Sequence, residues 1–301
     1  MNEETPRSTP IADWYQHYID QMKARWAGNT LVKAQLEADR FATFVGDRPL
    51  TPLIVADYQA AQHARSKSQW TVKSALEWVQ KFLQWAEDME FLEKHRFARI
   101  IKIPNRPLVR PKMFTHVQYE ALKDESEGTV WYYAIVMAYR IGTRYSDTAM
   151  MKWESINLER CYVQFVPWKS RRSGREACCP FEYGGDLHKI LLELNKTRHP
   201  DPMWSQYVCP DMAMNYPQFG PNDAQRRLRH EFKRLCRKVG AEDLSFHRLR
   251  NSFISRLVNT GTSTTMGGQL TGLVNSQIFN QYAVPDLDAL RKAVDNMSKE
   301  D

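Results

Sequence analysis

The stretch Tyr139-Arg140-Ile141-Gly142-Thr143-Arg144-Tyr145-Ser146-Asp147 decides how this chain is read. It closes an apolar segment, Val130 to Tyr139, with the composition of a buried helix, turns at Gly142, and leads into a further helix predicted through Met151. Arg144 stands at the mouth of that second helix. A guanidinium there stays charged and can match two non-bridging phosphate oxygens with parallel N–H donors. An isolated arginine at a helix end is also commonly a salt bridge to a carboxylate, so its meaning depends on the residues that accompany it.

Further along, Cys161 to Phe165 and Glu176 to Phe181 alternate as strands around a basic turn, Lys169 to Gly174. This predicts a β-hairpin with Lys169, Arg171 and Arg172 at its tip. His247-Arg248-Leu249-Arg250 opens a helix predicted over His247 to Val258, with His247 and Arg250 on one face. Tyr282 lies between two short elements in Phe279-Asn280-Gln281-Tyr282-Ala283. Each has a plain reading: a solvated lysine turn, a structural histidine, a half-buried core tyrosine. Together, two arginines, a lysine, a histidine and a tyrosine form a phosphoryl-transfer set, able to bind oxygens, protonate a leaving group, move a proton and attack.

The fold class expected is mainly α with a small β-hairpin or sheet (α+β). Three divisions are read: a helical domain over residues 1–102, a linker over 103–112, and a second domain over 113–301 with a last helix after Pro285. In the first, Trp14, Tyr18 and Met22 form a helical stripe, and a second helix carries Leu31, Leu36, Phe41 and Phe44 to Gly46-Asp47. Thr51-Pro52 opens a third helix, and Leu76, Val79, Phe82 and Trp85 share a face of a fourth, within Trp70 to Trp85. These aromatics are expected in the core. The linker, Ile103 to Lys112, holds three prolines and the basic residues Arg106, Arg110 and Lys112. It is either a semi-rigid tether or a strap along a polyanion. Thr115 then caps a helix through Leu122, and Leu187 to Leu194 is a later one.

The net charge is +7, most of it beyond the prolines. A helix over Asp223 to Val239 buries Leu228, Phe232, Leu235 and Val239. It covers its remainder with Arg226, Arg227, Arg229, Lys233, Arg234, Arg237 and Lys238. A solvated face is the ordinary explanation of helix charge, but like charges this dense repel unless an anion neutralises them, which favours a nucleic-acid-facing helix. The five cysteines form no CxxC pair, and no His pair sits at finger spacing to them, so neither a disulfide framework nor zinc is expected. The acidic N-terminus has no signal-peptide core and no apolar run spans a bilayer, so a cytoplasmic protein without membrane contact is expected.

Taken with their spacing, these motifs resemble the catalytic domain of the tyrosine recombinases, the family of lambda integrase, Cre and Xer. Tyr139 to Asp147 is similar to the first arginine box, followed by Met151-Lys152-Trp153. Lys169 stands at the hairpin lysine, His247-Arg248-Leu249-Arg250 matches His-x-x-Arg, and Asn259-Thr260-Gly261 and Leu270-Thr271-Gly272 lead to Tyr282. The resemblance covers roughly residues 115 to 290, and the helical half before it looks like a core-binding domain. It implies strand cleavage through a 3′-phosphotyrosyl bond to Tyr282, with Arg144, Lys169, His247 and Arg250 as catalytic partners and Asp147 in support, buried and holding the arginine and histidine. It implies no cofactor, double-stranded DNA as partner, a homotetramer on paired sites, association with the nucleoid and room for an accessory DNA-bending factor. The lack of an extra N-terminal module leans toward a simple recombinase. The chain departs from the family at Leu273, nine positions before Tyr282, where His or Trp is usual. Leucine can buttress the tyrosine but donates no hydrogen bond, a loss on the order of 10²–10³ in rate elsewhere, unless Gln269 or Asn275 substitutes. A DNA-binding relative with weakened chemistry and a type IB topoisomerase stay open as alternatives. A small-molecule phosphoryl-transfer enzyme is disfavoured, since no Gly-rich phosphate loop is present.

Overall fold

The computed structural model of the chain describes residues 11–26, 28–105, 112–216, 222–273 and 291. Contacts divide the chain into two compact units, Met1–Leu108 and Val109–Asp301.

The first unit is helical: α1 (Ile11–Met22), α2 (Gly28–Val45), α3 (Pro52–Arg65) and α4 (Gln69–Asp88). Its core is aromatic. Tyr15 stacks on Phe82 at 4.0 Å between centroids, and Phe41 meets Tyr58 edge-on at 4.9 Å. Such pairs add to the stabilisation from area burial alone. The Thr51 hydroxyl accepts the Ile54 N–H and Pro52 occupies the first helical position, as the sequence suggested. Leu76, Val79, Phe82 and Trp85 are buried on α4 as expected. Helix α2 turns Ala34, Ala38, Phe41 and Val45 inward, which leaves Leu36 46% exposed, and a face built on two alanines lets neighbouring helices approach closely. One expectation fails. Trp70, at the first turn of α4, is 62% exposed, outside the aromatic core. Buried Glu87 accepts the N–H groups of Phe97 at 2.6 Å and Ala98 at 2.9 Å, which fixes the chain after α4 and starts a short 3-10 turn, Ala98–Ile100.

The second unit opens with α5 (His116–Glu125), held by a reciprocal capping box between Thr115 and Gln118. Helix α6 (Val130–Arg140) is buried nearly all round, as its composition requires, and forms the centre of the core. Next come α7 (Tyr145–Ala149), β1 (Ile156–Asn157), β2 (Tyr162–Phe165) and β3 (Ala177–Pro180). The strands form an antiparallel sheet in the order β1-β2-β3, with Val163 opposite both Ile156 and Cys179. The expected hairpin is therefore the larger part of a three-stranded sheet; β1 is too short to show alternation. Its connection is not an open turn but a 3-10 helix, Trp168–Ser173, closed by Gly174 at φ +63°. Helix α7 stops at Ala149, short of the predicted Met151.

The chain continues through α8 (Asp186–Lys196), α9 (Pro202–Ser205), α10 (Pro210–Met214), α11 (Asn222–Lys238), α12 (Phe246–Asn259) and α13 (Thr264–Thr271). Leu228, Phe232 and Leu235 are buried along α11 as read from the sequence, joined by Cys236. Helices α9, α10 and α13 were not anticipated. The first two are too short for a period, and α13 is small and polar, Thr-Thr-Met-Gly-Gly-Gln-Leu-Thr. The linker from Arg106 to Pro111 and, apart from Arg291, the helix expected after Pro285 lie outside the described residues.

Gly142 joins α6 to Arg144 at φ +70°, and a Cβ there would stand 2.9 Å from Phe253 Cε1 and closer still to Cδ1. Gly174 has a similar φ, +63°, but open space around it. Gly174→Ala should therefore cost about 1 kcal/mol, from backbone strain alone. Gly142→Ala adds overpacking against an aromatic ring and should cost roughly 1–3 kcal/mol more. Denaturant unfolding of both variants checks this; equal losses would show that Phe253 yields freely.

Candidate active site

Arg250 organises the site. It points from α12 into the interior and is 2% exposed. Its Nη1 donates to the Gly142 carbonyl and its Nη2 to the Thr271 carbonyl at 3.0 Å. The first carbonyl belongs to the turn before Arg144, the second to the last turn of α13. These two carbonyls are neutral and hold the guanidinium by their dipoles.

Arg144 caps α7. Its N–H donates to Asp147 Oδ2 at 3.3 Å, and its Nη1 lies 3.5 Å from the same oxygen. The other oxygen, Asp147 Oδ1, accepts the Trp168 N–H at 2.8 Å. Asp147 is buried, as expected, and one carboxylate thus ties Arg144 to the turn that carries Lys169. Lys169 is exposed on the 3-10 helix immediately after Trp168.

His247 lies in the first turn of α12. By surface area the residue is exposed, yet its ring is enclosed enough for burial to be the largest cause lowering its pKa, to about 4. Arg250, Arg144, Arg248 and Lys169 follow as causes, in that order. The positive charge of these four side chains pushes the imidazole pKa in the same direction as burial, so the ring is neutral at physiological pH. Arg248 was missed as a site residue because helical spacing paired His247 with Arg250; its sign and position were the available signal. With its amide turned to suit both neighbours, buried Asn251 accepts from Arg248 Nη1 at 3.0 Å and donates to the His247 carbonyl at 3.2 Å.

Leu273 follows Gly272, the left-handed cap of α13, and is buried in the core of this unit. A Cβ on Gly272 would overlap Pro167, which brings the end of α13 against the start of the lysine turn. Gln269 is exposed. Tyr282, Asn275, Arg106 and Arg110 lie outside the described residues, as does the side chain of Arg172. Among the DNA-facing candidates, Lys112 bonds Asp243 at 2.7 Å and Arg171 lies 4.0 Å over the Trp168 ring. Arg226, Arg227, Arg229 and Lys233 are exposed on α11. Among the described residues no three or more His, Cys, Asp or Glu side chains gather as metal ligands, and no helix is long and apolar enough to cross a membrane.

A mostly helical unit with one small antiparallel sheet matches the fold of the tyrosine recombinase catalytic domain. The model of the phage integrase family matches residues 112–287, and the chain belongs to that family of site-specific DNA recombinases. Among solved structures, the chain is 14% identical to the Tn1549 transposon integrase in complex with transposon right end DNA, with a TM-score of 0.73, covering 96% of this chain and 100% of that one. A lambda integrase tetramer bound to a Holliday junction is 16% identical, with a TM-score of 0.69, covering 92% and 78%. XerA recombinase is 16% identical, with a TM-score of 0.50, covering 95% and 98%. At such identities these likenesses speak for the fold. No curated protein matches the sequence.

The His247 environment sets a pH dependence. Its folded pKa lies near 4 against an ordinary 6.5, so the unfolded chain binds a proton that the folded one refuses. Stability from this group is intact above about pH 6.5 and is lost as pH falls from there toward 4. Imidazole resonances should titrate near 4 without DNA and move upward when inorganic phosphate is added. His247→Gln should flatten the acid limb of the stability curve. Titration at 6.5 or above would mean that the cations do not reach the ring.

Proposed function

We propose that this chain cuts and rejoins double-stranded DNA through Tyr282, with Arg144, Lys169, His247 and Arg250 as its catalytic partners. The observation that carries the reading is that Asp147 ties Arg144 to the lysine turn while Arg250 is bonded to the Gly142 carbonyl just before Arg144, so both arginines and the turn that bears Lys169 are held by one cluster of contacts. Arg144 and Arg250 take the non-bridging oxygens and stabilise the charge of the in-line transition state. The neutral imidazole accepts the phenolic proton as the Tyr282 oxygen bonds to phosphorus. The bond from phosphorus to the 5′ oxygen breaks, and Lys169 supplies the proton that makes it a 5′-hydroxyl. The 3′-phosphotyrosyl bond conserves the energy of the diester, so a partner 5′-hydroxyl reseals the strand by the reverse steps without a cofactor. Asp147 holds Arg144 and the lysine turn, and Leu273 packs beneath the site in place of a hydrogen-bond donor.

In the same reading, residues 1–102 bind the core site, 103–112 follow the DNA backbone, and 113–301 perform the chemistry, with the last helix exchanged between protomers. Four copies assemble on paired sites in the cytoplasm, on nucleoid DNA, with or without an accessory bending factor. The lambda integrase tetramer on a Holliday junction supports that assembly by analogy of fold. Arg226, Arg227, Arg229 and Lys233, with Arg106, Arg110, Lys112, Arg171 and Arg172, neutralise phosphates. Lys112 must exchange Asp243 for DNA to do so.

Two measurements test this. Supercoiled DNA from the gene's own neighbourhood, incubated with protein and denatured with detergent, should yield DNA-linked protein that disappears with Tyr282→Phe. Tight binding without any adduct points to a DNA-binding relative, and relaxation of plasmids lacking any particular sequence points to a topoisomerase. Separately, replacing Arg226 and Arg229 by Gln should weaken binding uniformly across sequences. The slope of log affinity against log salt should fall by about 0.9 for each phosphate no longer neutralised. An unchanged slope would remove α11 from the interface.

A further inference from the structure

Lys169 itself is exposed, so its position depends on the turn beneath it. The residue that fastens that turn is Trp168. Its N–H donates to Asp147 Oδ1 at 2.8 Å. Its half-buried ring lies under the Arg171 guanidinium at 4.0 Å and meets Tyr216 edge-on at 6.3 Å. Tyr216 in turn lies 6.3 Å from Tyr145, ring to ring. Tyr145, Ser146 and Asp147 are the first three residues of α7, directly after Arg144. Trp168 is therefore tied to the arginine helix twice, through its backbone and through its ring.

Trp168 also lines a cavity of about 120 Å³, together with Asp147, Met150, Met151, Phe165 and Val166 among others. Truncating the indole would enlarge this space and free the turn to settle into it. Pro167 abuts Gly272 on the turn's other side, so the movement left to Lys169 is governed by what Trp168 allows.

We infer that Trp168 is a positioning residue for strand cleavage, holding Lys169 in register with Arg144 so that its ammonium reaches the leaving 5′ oxygen. The inference rests on the reading of Lys169 as the general acid. A substrate whose scissile 5′-bridging oxygen is replaced by sulfur separates the two, because a thiolate leaves without being protonated.

The experiment measures single-turnover cleavage of the mapped site, with oxygen and with sulfur leaving groups, by wild type, Lys169→Ala, Trp168→Ala and Trp168→Phe. On ordinary DNA, Lys169→Ala should be slower by on the order of 10²-fold or more, the usual worth of a general acid. Trp168→Ala should approach that loss, and Trp168→Phe, which keeps an aromatic ring, should retain most activity. On sulfur DNA both alanine variants should cleave within several-fold of wild type. If Lys169→Ala is rescued by sulfur and Trp168→Ala is not, Trp168 supports the fold or the whole site, and the inference is overturned. Wild-type cleavage of ordinary DNA by Trp168→Ala overturns it equally. If sulfur fails to rescue Lys169→Ala, it is the assignment of the general acid that falls, and the role of Trp168 falls with it.

Discussion

A buried guanidinium between two backbone carbonyls holds this catalytic unit together. Arg250 is the one member of the candidate set, among the described residues, that is fully enclosed, and its donors reach the turn before α7 and the end of α13. Desolvating a cation is costly unless its donors are satisfied. That cost makes the Gly142 turn and the α13 terminus settle around one side chain. Gly142 must lack a side chain because Phe253, three residues along α12 from Arg250, fills the adjoining space. Through this packing α12 fixes the turn before Arg144, and Asp147 relays the position of α7 to the lysine turn.

The electrostatics follow from that geometry. Arg250 and Arg144 cannot move apart to relieve repulsion, because carbonyls and a buried carboxylate hold them. The relief falls on the group that can change its charge, His247, which gives up its proton. An anion entering among these groups would reverse the effect. Exposed cations on α11 carry no such strain, because water screens them.

Much of this was legible in residue order. Thr51-Pro52 and Thr115 mark helix starts because capping is a local matter, settled within four residues. The all-round apolarity of Val130 to Tyr139 announces a central helix, and the stripe of α11 announces its buried face. Short or small-residue elements escaped: β1 with two residues, α9 and α10 with four and five, and α13 with its glycines. None of them has a period long enough to read; they exist because the larger elements leave room and backbone partners for them. Trp70 was misplaced because an apolar residue says that burial is favourable and does not say which face a neighbour covers.

The sequence by itself determined the chemistry available: two arginine boxes, a lysine turn, a histidine and a tyrosine in an order characteristic of one family. Those identities reside in side-chain types and spacings, which are one-dimensional. Only the tertiary structure decided that Arg250 is enclosed, that Asp147 serves Arg144 and Trp168 at once, that Arg248 joins the cations around His247, and that Leu273 packs in the core. Each of these depends on segments tens of residues apart closing on one another, and burial and field strength come into being only when they close.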